Sequence, residues 1–116
     1  MGVVIQFPAK KRQTTLSQIV SETCDYFDIT FREFVCKRRS TQFVRPRHAA
    51  CFLARELTTN SFPEIGSYMR RDHTSIIHSA ERGAELYASN ETFRRAVDSI
   101  RARVTGYDLF NADTIS

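Results

Sequence analysis

Glycine and cysteine are scarce in this chain, and their placement excludes several kinds of site. The four glycines stand nowhere at the spacing of a P-loop or of a Rossmann G-x-G-x-x-G motif. The three cysteines are odd in number and widely spaced, which argues against a disulfide framework and a C-x-x-C zinc site. No apolar run approaches the roughly 18 residues of a membrane span, and no signal-peptide order is present. We therefore expect no nucleotide, no metal, no cofactor and no membrane, and a reducing cytoplasm.

The basic residues are the first positive signal. Lys and Arg total 17 against 13 Asp and Glu, which gives a net charge of +4. Only three of the 17 are lysine, and arginine is the residue preferred for phosphates and base edges because its planar guanidinium presents a fork of donors. This composition favours a binder of an anionic polymer. An ordinary domain with solvated charges explains the composition equally well.

Helical periodicity and capping residues predict an all-α fold of about six helices. No segment alternates with the period of a strand. We expect residues 1–13 to be a flexible basic arm, residues 14–105 a helix-turn-helix domain and residues 106–116 a polar tail. The expected helices are about 15–27, a short one from Thr30 to near Lys37, one with Pro46 at its first position after a charged loop, a short one from Ser61, a long one capped by Asp72, and one from Asn90 to Gly106.

The helices that start at Ser61 and Asp72 have the pattern of a helix-turn-helix, because only Arg70 and Arg71 separate them. The second helix opens on residues 71–75, and each of these side chains can form hydrogen bonds. Such a first turn suits a recognition helix that enters the major groove by its N-terminal end. A plain N-cap followed by a solvated turn is the alternative interpretation of the same residues.

Five short segments, in this order, resemble one known family. They are K-R-R-S at 37–40, V-R-P-R at 44–47, L-A-R-E-L-T at 53–58, F-P-E-I-G at 62–66 and R-D-H-T-S at 71–75, followed by Ile77 and His78. Together they resemble the C-terminal DNA-binding domain of the bacterial replication initiator DnaA, over about residues 14–104. The resemblance implies an all-α, Trp-repressor-like helix-turn-helix that binds double-stranded DNA at a short nonameric box.

The resemblance also implies roles for particular residues. Arg39 would enter the minor groove, and the residues expected to read bases in the major groove are Asp72, His73, Thr74 and Ser75. Those expected along the phosphate backbone are Lys37, Arg38, Arg45, Arg47, His48, Arg55, Pro63 and Arg71. These assignments agree with the chemistry of the side chains, since aspartate accepts from cytosine N4 and arginine favours narrow A/T-rich minor grooves.

The sequence departs from the family pattern at a few positions. Ser75 stands where threonine is usual, His48 where glutamine is typical and Arg55 where lysine is common. Arg70 and Arg71 replace a longer turn that contains glycine. His73 and His78 lack the i, i+4 spacing of a helical zinc site, and no nucleophile accompanies them. We expect neither metal binding nor catalysis, and no ATPase activity.

The resulting hypothesis is a non-enzymatic protein of the bacterial cytoplasm and nucleoid that binds a specific DNA sequence and regulates transcription or replication initiation. Two alternatives stay open on the sequence alone. One is a protein-interaction module of the same fold that docks an acidic partner. The other is a phage or mobile-element factor that competes for initiator boxes. A homodimer or a partner regulator is also left open.

Overall fold

Six α-helices make up residues 14–106, the part of the chain that this computed structural model describes. No strand occurs within that range, and none of its helices is long and apolar enough to cross a membrane. The all-α prediction is confirmed for this part of the chain; the predicted basic arm and all of the tail except Gly106 lie outside it. The helices are α1 (Leu16–Phe27), α2 (Phe31–Phe34), α3 (Thr41–Leu57), α4 (Phe62–Met69), α5 (His73–Ser89) and α6 (Glu91–Thr105).

Capping side chains determine where most of these helices begin. At the start of α4, Ser61 Oγ accepts from the Glu64 N–H at 3.2 Å and Glu64 Oε1 accepts from the Ser61 N–H at 2.8 Å. This reciprocal pair satisfies two backbone donors that the helix leaves free. The same capping box opens α1 at Thr15 and α2 at Thr30. All three capping boxes predicted from the sequence are present.

Helix α3 begins earlier than predicted. It starts at Thr41, so Pro46 lies in the second turn and the expected loop up to residue 47 is largely helical. In addition, α2 ends at Phe34 and not near Lys37. The density of basic residues suggested a loop, but arginines on a helix can extend into solvent. Phe43 and Pro46 are buried, and this burial offsets the hydrogen bond that proline cannot make.

Helix α3 lies at the centre of the fold and packs against α1, α5 and α6. Its contact with α5 is so close at Gly83 that an added Cβ would lie only 2.6 Å from the His48 carbonyl oxygen. This close approach lies in the second half of α5, away from its first turn at His73. The fully buried side chains of the core include Ile19, Phe34, Leu53, Ile65, Met69, Ile76, Val97 and Ile100.

Candidate nucleic-acid interface

Helices α4 and α5 form a helix-turn-helix joined by Arg70, Arg71 and Asp72. The chain reverses at Arg70, whose backbone is left-handed at φ 60 and ψ 44, and the Arg71 N–H donates to the Gly66 carbonyl at 2.8 Å. This is a Schellman-type ending of α4 with arginine in the position that glycine usually takes. A Cβ at Gly66 would collide with the Arg71 carbonyl oxygen. Glycine at 66 therefore permits the short turn.

Asp72 caps α5 and presents its first turn to solvent. Its carboxylate accepts from the Ser75 N–H at 2.8 Å, and this hydrogen bond is the main reason that the pKa of Asp72 is lowered. The carboxylate is therefore ionised at neutral pH, and it is exposed to solvent. His73 and Thr74 are exposed, whereas Ser75 is half-buried. Of the four predicted base-contacting residues, the first three are freely accessible.

The outward face of α5 changes in charge along the helix. Thr74 and His78 lie one turn apart and are exposed, and Glu81 and Glu85 continue the same face. The His78 ring lies 3.9 Å from Glu81, and Arg82 pairs with Glu85 at 2.8 Å. Because nucleic acid is a polyanion, this face suits it only over the first two turns. The geometry favours entry of α5 by its N-terminal end.

Residues 36–40, which we call the basic loop, connect α2 to α3 and expose Lys37, Arg38 and Arg39. Arg38 stacks on the Phe43 ring, with its guanidinium carbon 5.5 Å from the ring centroid. Within residues 14–106, no hydrogen bond or ion pair engages the side chain of Lys37 or Arg39. Both side chains are therefore available to an anionic ligand.

The structure corrects the expectation that Arg47 contacts phosphate. Its side chain is only 8% exposed, and it donates to three carbonyl oxygens, those of Phe34 at 3.2 Å, Cys36 at 3.0 Å and Arg38 at 2.9 Å. Burial is the main reason that the pKa of Arg47 is lowered, with the charge of Arg71 second. Backbone carbonyls of a loop need partners when buried. Arg47 is thus a structural residue that holds the basic loop.

Arg71 also differs from its expected role on a phosphate. It is half-buried, and its guanidinium donates to the Cys36 carbonyl oxygen that Arg47 already contacts. Its neighbour Arg70 is exposed and lies over the Phe31 ring at 5.6 Å. Within this pair, the arginine available to a ligand is Arg70, which the sequence analysis did not single out. The left-handed backbone of Arg70, which the sequence does not reveal, lies between two side chains with different contacts: Arg70 lies over Phe31 and Arg71 donates to Cys36.

The phosphate contact of His48 stays a prediction, but the structure shows that His48 would act there as a neutral group. Its ring is partly buried between α3 and α5, with Nδ1 3.2 Å from Ser79 Oγ. Burial, followed by the charges of Arg47, Arg82 and Arg45, lowers the pKa of His48 to about 4. The imidazole is therefore neutral near pH 7 and offers no cation to a phosphate.

The remaining predicted phosphate residues lie at the surface. Arg45 is half-exposed on α3, and Arg55 is exposed with its guanidinium 5.1 Å from the Phe62 ring centroid. Pro63 is exposed in the first turn of α4, about 10 Å along that helix from the turn into α5. The structure therefore places Pro63 at the end of α4 opposite to the turn that leads to Asp72.

Ion pairs separate the arginines of residues 14–106 into two groups. The pairs are Arg82 with Glu85, Arg95 with Glu91, Arg101 with Glu56 and Asp98, and Arg103 with Glu22. All four of these arginines follow residue 81. No ion pair within the described range involves a basic residue from Lys37 to Arg71. Most of the unpaired lysines and arginines of residues 14–106 therefore lie between Lys37 and Arg71, and Arg32 and Arg94 are the others.

Comparison with known proteins agrees with this geometry. Residues 16–82, from the start of α1 to the middle of α5, match the family model described as the bacterial DnaA protein helix-turn-helix. The chain belongs to this family. The match includes the basic loop, the turn and the exposed start of α5, so the resemblance predicted from the sequence motifs is confirmed.

The DnaA relatives are much longer than this chain. The chromosomal replication initiator protein DnaA of Caldanaerobacter subterraneus subsp. tengcongensis is 35% identical over 98 residues, which are 84% of this chain and 22% of that protein. The DnaA of Methylobacillus flagellatus is 39% identical over 87 residues, covering 74% and 18%. That of Lacticaseibacillus casei is 37% identical over 90 residues, covering 77% and 20%. The chain spans about a fifth of the length of these relatives.

Proposed function

We propose that this DnaA-family chain binds a specific sequence of double-stranded DNA and acts as a regulator of transcription or replication initiation, without catalysing a reaction. One observation carries the proposal. The exposed first turn of α5 lies beside a basic loop whose Lys37 and Arg39 have no partner within residues 14–106. A base-reading turn and free cations then meet the duplex together. In this proposal residues 14–105 form the binding domain and act at the nucleoid.

The base contacts come from Asp72, His73 and Thr74, with Ser75 at the edge of the contact because it is half-buried. The exposed carboxylate of Asp72 accepts from a base amino group, and the Thr74 methyl packs against a thymine methyl. Arg39 enters the minor groove, where the negative potential of A/T-rich DNA attracts a guanidinium. The phosphate contacts come from exposed cations and a helix start: Lys37, Arg38, Arg45, Arg55, Arg70 and Pro63.

Selection of bound sequences from a randomised duplex library tests this proposal. We expect the full chain to enrich one motif, because His73 and Thr74 are free to contact base edges. Thr74→Ala and Arg39→Ala should each weaken binding to the enriched duplex by about 1 to 3 kcal/mol. Thr92→Ala provides the matched control, since Thr92 is an exposed threonine on α6, and it should leave affinity unchanged.

Two results would refute the proposal. The first is a library from which the wild-type chain enriches no motif. The second is an enriched motif whose affinity does not change in Thr74→Ala or Arg39→Ala. Binding to an acidic protein with no affinity for duplex DNA would instead favour an interaction module on the same fold.

A further inference from the structure

We propose that Arg71, supported by Arg47, is a positioning residue that sets the place of the basic loop relative to the start of α5, and so determines which DNA sequences are accepted. This inference rests on the proposed DNA binding. It assigns to two predicted phosphate contacts a different role, because their guanidinium groups are turned to the protein backbone. Their ligand is the loop that carries Arg39.

A single carbonyl oxygen connects the two arginines. Cys36 accepts from Arg47, which extends from α3, and from Arg71, which extends from the turn before α5. Arg47 also holds the carbonyls of Phe34 and Arg38. The backbone is therefore fixed at the end of α2, at Phe34, and within the loop at Cys36 and Arg38, directly before Arg39. Its conformation is determined by side chains from two other elements.

Arg71 is also tied to the recognition turn through its own backbone. Its N–H donates to the Gly66 carbonyl at 2.8 Å, and the next residue, Asp72, caps α5. Movement of the basic loop relative to α5 must therefore break the contact from Arg71 to Cys36. One side chain links the predicted minor-groove contact to the predicted major-groove contact.

Electrostatic repulsion between Arg47 and Arg71 opposes this arrangement. Arg47 and Arg71 are like charges that approach the same carbonyl, and the charge of Arg71 contributes to lowering the pKa of Arg47. No ion pair within residues 14–106 involves either guanidinium. Carbonyl dipoles are their partners, and these are directional hydrogen-bond acceptors. What the pair supplies is a defined geometry of the loop.

Defined geometry matters because a protein that reads both grooves must satisfy both contacts at once. A supporting residue that keeps reading groups within a fraction of an ångström of their places raises the preference for the right sequence over others. Without Arg71, Arg47 would still hold the loop to α3, but the direct link from the loop to the start of α5 would be lost. Arg39 could then enter A/T tracts at different distances from the bases that α5 contacts. The chain would therefore accept a wider set of DNA sequences.

The test compares Arg71→Met with Arg70→Met in the full chain. Both variants remove one arginine charge from the same turn, but only Arg71 donates to Cys36. Thermal unfolding followed by circular dichroism first establishes that both variants fold. Affinity is then measured for the duplex enriched by the wild-type chain and for a random duplex, over a range of salt concentrations.

We expect Arg71→Met to reduce the preference for the enriched duplex by about 10-fold, within the range of coupling energies for groups that act together. Arg70→Met should keep the preference while weakening binding to both duplexes. Selection with Arg71→Met should give a motif blurred at the positions that depend on Arg39. The effect of Arg39→Ala should also be smaller in the Arg71→Met background.

Uniform weakening by Arg71→Met on both duplexes, with a salt slope reduced by about 1, would mean that Arg71 is a phosphate contact and would overturn the inference. Additive effects of Arg39→Ala and Arg71→Met would overturn it too. Both outcomes leave the proposed function intact, because the wild-type motif is still enriched. If the wild-type chain enriches no motif, the proposed function fails and this inference fails with it.

Discussion

Replacement of Arg47 by methionine should destabilise the protein strongly, although arginine is a residue usually found at the surface. Methionine keeps most of the volume of the side chain but removes every donor. The carbonyls of Phe34 and Arg38 lose a guanidinium donor, and that of Cys36 keeps only Arg71. A hydrogen bond to a charged group contributes about 1.5 to 3 kcal/mol, and such values are not additive.

The three bonds would sum to more than the real effect, because Arg47 is costly to bury and methionine is not. The direction of its pKa shift, downward mainly through burial, reflects that cost. We expect a net loss of about 3 kcal/mol in the free energy of unfolding, out of roughly 5 to 15 kcal/mol for a domain. Urea denaturation with linear extrapolation measures this loss directly.

Arg45→Met is the matched control, two residues earlier on α3. It removes the same charge from a half-exposed side chain that makes no hydrogen bond within residues 14–106, so we expect a change within about 0.5 kcal/mol. Equal, small effects of the two substitutions would refute the structural role of Arg47. In that case the guanidinium would be free in solution, and Arg47 would return to the phosphate contacts.

The other predictions concern pH and the turn. Because the pKa of His48 is about 4 in the folded chain against 6.5 as the reference, protons favour the unfolded chain. Stability should therefore be full above pH 6.5 and fall towards pH 4, by about 1 to 2 kcal/mol after discounting for partial exposure, as measured by urea unfolding against pH. His48→Gln should remove this part of the slope, and an unchanged slope would contradict the assignment. Gly66→Ala should cost about 2 kcal/mol in urea unfolding, since its Cβ meets the Arg71 carbonyl. Ser67→Ala, exposed on the same helix, should change it little, and equal effects would contradict the close approach at 66.

Local signals in the sequence were enough to predict the helices and the helix-turn-helix. The capping boxes at Thr15, Thr30 and Ser61 each join two residues that are only three positions apart, so both partners can be found in a short stretch of sequence. Asp72 likewise caps α5 through Ser75. Apolar spacing identified the buried faces for the same reason, as with Ile19 and Val20 on α1. Short-range geometry of this kind follows from the order of residues alone.

Some local predictions still failed where burial outweighed propensity. The segment from Thr41 to Arg47 carries basic residues and a proline, yet it is helical because its apolar side chains are buried. Phe31 is a large apolar residue of α2, yet it is 38% exposed beside Tyr68. Which of several apolar residues enters the core depends on the elements that pack around it, and these come from distant parts of the chain.

The sequence by itself determined the fold class, the family and the presence of arginine-rich segments, because helix periods, caps and motif residues are properties of neighbours in the chain. Only the tertiary structure decided which arginines are exposed and which are held by the protein itself. From the sequence, Arg39, Arg47 and Arg71 are all expected to contact DNA, but the fold buries Arg47 and directs it with Arg71 to the carbonyl of Cys36, across 11 and 35 residues of chain. A guanidinium can donate to a carbonyl or to a phosphate, and which of them lies within its reach is fixed by long-range packing.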